Sequence, residues 1–346
     1  MARYKQYNYS QRLMVPVSLE EQLVTGTLEH AIHYVVENEL ETDIFDNRFK
    51  NDFSGRPAIS PKILLKVVLL GYSRGLNSSR KIEKACRENI IFMALTCGQS
   101  PDHATIANFV SLLENEVKHV FNSILLVCLE MNLLGGTFFA LDGCKMPGNA
   151  SKRWSGTHKE LRHKKEKIDA AIKKIMKQHI SQDQIQHEAK TKNERTETDF
   201  QTEQLNRLKN QSKRIKDWLS SNDPKPGKRS RELKSNITDN DSAKMSTSHG
   251  TIQGYNAQAM VDDRHQIIVA GLASGKGQDA DHMLPMLEIT RENLGFLGYP
   301  MDHLKNVTIT ADSYYFSQKG KEDLPVTTSA THLKMMSTYV RPIKVQ

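Results

Sequence analysis

At 346 residues and 38% apolar content, the chain can bury one sizeable core or two and is not a small stapled domain. Its four cysteines, Cys86, Cys97, Cys128 and Cys144, form no CxxC pair, and its thirteen histidines show no zinc-finger spacing, so a reduced intracellular setting is expected. The N-terminus lacks an apolar leader, and the apolar stretches from Ile63 to Leu70 and from Ile124 to Leu129 are too short to cross a bilayer, which excludes a membrane partner.

The net charge of +8 is unevenly distributed. Between Ser151 and Ser235 there are 23 Lys and Arg against 12 Asp and Glu, whereas the rest of the chain has 25 against 28. That segment is either an electrostatic footprint for a polyanion such as DNA or a solvated helical arm.

In chain order, the first section is expected to be helical. Ser18 followed by Glu21 has the form of a capping box, and Leu19, Leu23, Leu28, Ile32 and Val36 recur at near-helical spacing. Ser60-Pro61 starts a second helix whose run from Ile63 to Tyr72 is apolar nearly all round and therefore buried. Gly75-Leu76-Asn77-Ser78 turns the chain into a short helix through Ile82 and Ala85, and Pro101-Asp102 opens another carrying Ile106, Phe109 and Leu113. Short helices with tight polar turns read as a bundle ahead of a helix-turn-helix.

Next comes an apolar run ending in an acid, Phe138-Phe139-Ala140-Leu141-Asp142-Gly143. From Lys159 to Leu219 the composition turns to Lys, Gln and Glu, with Ile168, Ile172, Ile175, Leu205, Leu208, Ile215 and Leu219 at helical intervals. This predicts two long amphipathic helices joined near Thr191 to Asp199 and ended by Asp223-Pro224-Lys225-Pro226-Gly227. Tyr255 to Val261 alternates as a strand, Asp262-Asp263-Arg264-His265 forms a turn, and Ile267 to Leu272 returns. Asp262 and Asp263 are read as turn formers in preference to metal ligands. A helix from Asp279 to Leu294 and a strand from Val307 to Ala311, followed by Asp312, complete the pattern. The order is strand, inserted arm, strand, strand, helix, strand.

The segments from Phe139 to Lys145, Gln253 to Gln258 and Thr310 to Tyr315 resemble the DDE transposases of bacterial insertion sequences. The likeness is to the group with a helical N-terminal domain and a basic insertion after the first catalytic strand. Ser78 to Glu88 is similar to that group's N-terminal domain, and Asp239 to Ser242 to its segment ahead of the second strand. The resemblance implies an α/β fold: a helical N-terminal domain and a ribonuclease-H-like core interrupted by a helical basic insertion and lacking its C-terminal part. The implied divisions are 1–130 (helical domain), 131–150 (first catalytic strand), 151–247 (basic arm), 248–317 (remainder of a partial core) and 318–346 (divergent tail).

By the same resemblance Asp142 and Asp312 are the first two catalytic acids and metal ligands, Asp142 bridging two Mg²⁺ or Mn²⁺ ions and Asp312 holding one. Hard oxygen ligands suit such ions, which activate water or a 3′-hydroxyl and stabilise the leaving oxygen. Without the resemblance each aspartate would be read as a strand-end cap. Arg80, Lys81, Lys84 and Arg87 put four positive charges on one short helix, a phosphate-contacting face or a solvated one. Lys152 and Arg153, with Asn149 and Trp154, either approach DNA or form the polar loop entering the arm. The implied partner is double-stranded DNA, both element ends and target, with room for a homo-oligomer. The implied location is cytoplasmic and nucleoid-associated.

Two departures stand out. The group carries glycine where Tyr314 stands. Its third acid, on a downstream helix in a Tyr-x2-Arg-x3-Glu-x6-Lys pattern, finds no match: Glu322 and Asp323 come too early, and Tyr339-Val340-Arg341 has the wrong spacing. The sequence therefore reads as a truncated transposase, inactive alone. The alternatives are a non-catalytic DNA-binding fragment and, outside the family, a helical scaffold whose arm binds RNA or acidic protein.

Overall fold

The computed structural model describes residues 16–48, 57–113, 116–185, 192–227, 231–315 and 333–336. The chain divides into two compact units, Met1–Leu133 and Leu134–Gln346.

The first unit holds α1 (Leu28–Asn38), α2 (Pro61–Ser73), α3 (Ser79–Glu88), α4 (Ile90–Leu95), α5 (His103–Ser111) and α6 (Glu116–Glu130). Their starts follow from local chemistry: a side-chain oxygen that accepts an otherwise orphan amide starts a helix. Ser78 accepts from Lys81 N at 3.3 Å, Asn89 from Ile91 N at 2.9 Å and Asp102 from Thr105 N at 2.6 Å. Pro61 occupies the first turn of α2, where a missing amide costs nothing.

The expected start at Ser18 is corrected. Glu20–Gln22 make only a 3-10 turn, and Ser18 Oγ receives Glu21 N at 3.5 Å, the limit of a hydrogen bond. Gly26 at φ +88° breaks the run, and Thr27 caps α1 through His30 N at 3.3 Å. One core joins these helices, built on Val36, Phe45, Leu64, Val67, Leu70, Ile82, Phe92, Leu95 and Ile106. Each such side chain contributes roughly 1.5–3 kcal/mol by leaving water. Lys66 is buried among them at 1% exposure and is paired to Glu37 at 2.8 Å.

The second unit contains β1 (Phe138–Pro147), β2 (Ser155–Gly156), α7 (His158–Ile185), α8 (Lys192–Ser221), β3 (Ser235–Asn236), β4 (Ala243–Thr247), β5 (Gly250–Asp262), β6 (Ile268–Ser274), α9 (Met283–Phe296), β7 (Thr308–Asp312) and β8 (Leu333–Met336). Six strands form one mixed sheet in the order β4-β5-β1-β7-β8, with β6 also on β5. β1 runs antiparallel to β5 and parallel to β7, and β7 runs parallel to β8. The strand, arm, strand, strand, helix, strand order is observed, with β4 and β8 added. Within the stretch 318–346, read from sequence as a divergent tail, Leu333–Met336 pair with β7.

α7 and α8 form the arm, inserted between β1 and β5. α8 begins at Lys192, so the expected junction at Thr191 to Asp199 moves earlier, and residues 186–191 lie outside the described ones. Ser212 Oγ donates to Asp169, fixing the pairing of the two helices. At the root, Leu161, Ile215 and Ile237 bury a small core with Trp154, Ile168, Trp218 and Leu219 packed on it. His158 closes the root: its ring lies 2.8 Å from Glu232 Oε1 and 2.9 Å from the Asn222 carbonyl. The short β2/β3 pair brings the two ends of the arm together.

Candidate active site and nucleic-acid interface

Leu141 on β1 is paired with Ala311 on β7. Parallel neighbours at matching positions point to the same face and lie about 4.8 Å apart. Asp142 and Asp312, the next residue of each strand, are therefore adjacent on one face, and both are exposed. Gly143 N donates to Asp142 Oδ1 at 2.7 Å, which orients that carboxylate. Two exposed hard-oxygen ligands fit a Mg²⁺ or Mn²⁺ ion, which is held by few carboxylates and keeps several waters. Among the described residues no three His, Cys, Asp or Glu side chains form a metal-binding group. Glu322, Asp323 and Tyr339-Val340-Arg341 lie outside the described residues.

On the opposite face of β1, under Gly143, lies a polar network. Gln258 is paired with Gly143 across β1 and β5, and a Cβ added to Gly143 would meet Gln258 Nε2 at 2.2 Å. Gln258 Nε2 donates to Asn256 Oδ1 at 3.0 Å and to Asp279 Oδ1 at 3.2 Å, and Asn256 Nδ2 donates to Asp279 Oδ1 at 2.8 Å. The Tyr315 hydroxyl donates to Gln258 Oε1. Asn256, Gln258 and Tyr315 are all buried. Burial, with the charges of Asp279, Asp142 and Asp312, drives the Tyr315 phenol well above its usual range, so it remains a donor. Tyr314 is exposed at 77%, and its backbone stays out of the left-handed region, so the departure from glycine is absorbed without strain.

Asp262 serves the turn and more. Its fully buried carboxylate accepts from Gly135 N at 3.0 Å, Gly136 N at 2.8 Å and Arg264 N at 3.1 Å, anchoring the entry to β1. Ahead of β4, Tyr255 donates to both oxygens of Asp239 at 2.7 and 2.8 Å.

Of the sequence-predicted cations, Arg80, Lys81, Lys84 and Arg87 all lie exposed on α3, opposite the buried Ile82 and Cys86. Arg87 pairs with Glu83 at 2.6 Å and Lys84 with Glu88 at 3.7 Å, which reduces the net charge of that face. Lys152 and Arg153 sit at the arm root, with Lys152 Nζ donating to the Thr251 carbonyl. Trp154 belongs to the root core, its ring capped by Lys164 at 4.5 Å and Arg214 at 5.7 Å. Burial, with Arg153 nearby, lowers the Lys164 ammonium from its ordinary range.

The fold also locates the basic excess within the arm. The outer part, residues 174–207, has six Lys and Arg and six Asp and Glu. The root, 151–173 and 208–235, has 17 against 6 and holds the whole excess. There Lys209, Lys213 and Lys216 on α8 line one groove with Lys165 on α7.

Sequence reasoning missed the Gln258 network and this division between root and tip. A signal for the network was present: Asn256, Gln258 and Met260 alternate on one face of β5, so two amides had to be buried and therefore bonded.

Residues 17–112 match the family described as Transposase domain (DUF772), and residues 224–331 match the Transposase DDE domain. The second match includes Asp279, Asp312 and Tyr315, while Asp142 lies ahead of it and is brought to the site by strand pairing. No curated protein and no solved structure shows significant similarity to the chain. No helix among the described residues is long and apolar enough to cross a membrane. With a transposase domain, a DDE domain and two aspartates adjacent on neighbouring strands, the chain belongs to the DDE transposases of insertion sequences, enzymes that act on DNA by phosphoryl transfer.

Proposed function

We propose that this chain acts in metal-dependent cleavage and strand transfer at the ends of an insertion sequence, on a ribonuclease-H-like core interrupted by its arm. The observation that carries the reading is the β1/β7 register, which sets Asp142 beside Asp312. In this reading the two carboxylates hold a divalent ion, Mg²⁺ or Mn²⁺. When bound, such ions stabilise the attacking and leaving oxygens of displacement at phosphorus. Gly143 N holds the Asp142 carboxylate in place, and Asp262 holds the entry to β1.

The positive arm root, Lys152 and Arg153 included, contacts duplex phosphates, as does the α3 face with Arg80, Lys81, Lys84 and Arg87. Such contacts position DNA and carry no sequence information. Among the described residues no group of three metal-binding side chains forms, and a site with only Asp142 and Asp312 is expected to neither nick nor join the DNA that the chain binds. The same observation favours the second reading, a DNA-binding fragment without catalysis.

The test is cleavage of DNA bearing the element's ends in Mn²⁺, comparing the chain with Asp142→Ala and Asp312→Ala. No cutting by any of the three is expected. Robust cutting abolished in either variant would show that a further acid, Glu322 foremost, completes the site.

A further inference from the structure

We propose that Gln258 is a positioning residue for the carboxylate pair, held in place by Tyr315 on one side and Asp279 on the other. The proposal rests on reading Asp142 and Asp312 as the metal-holding pair. Asp142 lies midway along β1 and Asp312 ends β7, so their separation depends on what fixes the backbone beside each of them. The flank of Asp142 is Gly143, whose bare Cα is crossed by the Gln258 side chain. The flank of Asp312 is the 3-10 turn Ser313–Tyr315, whose Tyr315 hydroxyl donates to Gln258 Oε1. One buried side chain thus contacts both flanks.

Gln258 itself is oriented by saturation. Its carbonyl oxygen takes the phenol, and its amide gives to Asp279 Oδ1 and Asn256 Oδ1. The amide could not be flipped without setting its carbonyl oxygen against the Asp279 carboxylate, acceptor to acceptor. Asp279, at the turn preceding α9, also takes the Asn256 amide, so β1, β5, the turn after β7 and the entry to α9 meet at this point. Groups that orient metal ligands without touching the metal typically tune affinity by roughly 10–100-fold.

The experiment titrates the full chain with Tb³⁺, a hard ion that favours carboxylate oxygens, followed by directly excited luminescence, with thermal unfolding of each variant in parallel. Asp142→Ala and Asp312→Ala should abolish binding. Tyr315→Phe, which keeps the ring and removes the donor, should weaken binding roughly tenfold. Asp279→Ala should weaken it similarly, whereas Asp279→Asn, which keeps an acceptor oxygen, should stay within about threefold of the parent, a pattern that a metal-ligand role would not produce.

Parent affinity in Tyr315→Phe, with binding abolished in Asp142→Ala, overturns the proposal and leaves the carboxylate pair standing. Equal loss in Asp279→Asn and Asp279→Ala also overturns it, because the acceptor is then not what matters. No Tb³⁺ binding by the parent, or undiminished binding in Asp142→Ala, defeats the reading of the pair itself.

Discussion

Asp142 and Asp312 each stand one residue beyond a register pair, Leu141 with Ala311, so two exposed carboxylates face solvent side by side on parallel strands. Like charges at neighbouring sheet positions repel by roughly 0.2–1 kcal/mol. Without metal, Asp142→Asn or Asp312→Asn should therefore raise the unfolding free energy by about that amount, read from urea melts. With Mn²⁺ present the parent should gain stability and both variants should not. A loss of metal-free stability in both variants would contradict the carboxylate repulsion.

DNA binding should depend on the arm root and be indifferent to the tip. Replacing residues 174–207 with a short Gly-Ser link spares Leu161, Ile168 and Ile215 of the root core and removes no net charge. Duplex affinity and its salt slope should hold. Lys209→Glu with Lys213→Glu and Lys216→Glu should lower affinity and flatten the slope of log affinity against log salt, by about 0.9 for each phosphate no longer neutralised. Fluorescence anisotropy across a salt series decides it.

Gly143 is required by close approach. A methyl there would lie 2.2 Å from Gln258 Nε2, so Gly143→Ala must push that side chain off its partners. Overpacking of this kind costs about 1–3 kcal/mol, measurable by urea unfolding. The same variant should weaken Tb³⁺ binding, because Gln258 loses its seat.

Acid should loosen the N-terminal unit through Glu37. Burial raises its carboxyl, but hydrogen bonding and charge from Lys66, with Lys62, outweigh burial and hold it below the usual carboxylate range. A group depressed in the folded state contributes stability above its unfolded value, about pH 4.3, and loses it as pH falls through the folded value. Thermal unfolding between pH 3 and pH 7 should show that step. Glu37→Gln should remove it and leave buried Lys66 short of a charged partner, costing about 1.5–3 kcal/mol at neutral pH.

What could be read from sequence was what local chemistry decides. Pro61, Ser78 and Asp102 each settle a helix start by themselves, so α2, α3 and α5 were legible. Ser18 and Glu21 carried the same signal wrongly, because Leu23 packs on the helical core from a turn and imitates helical spacing. The acids were visible as polar residues closing short apolar runs, although β1 continues past Asp142 to Pro147. The network beneath them was not, since Gln258 meets Tyr315 57 residues away, and a register slip of one would turn Gln258 to the other face. Nor could the charge of the arm be divided before Asp169 was known to lie beside Ser212.

The small β2/β3 clasp at the base of the arm bears on how the chain folds. β1 must find β5 across the whole span from Pro147 to Gly254, and closing so long a loop is slow and entropically costly. Helices form early from local contacts, so α7 and α8 can pair and the clasp can shut before the sheet exists. Closure then spans only the short stretches outside Gly156 and Ser235, a saving of about 1.2 kcal/mol in loop entropy. The insertion that interrupts the sheet in sequence would thus bring its two central strands together in time.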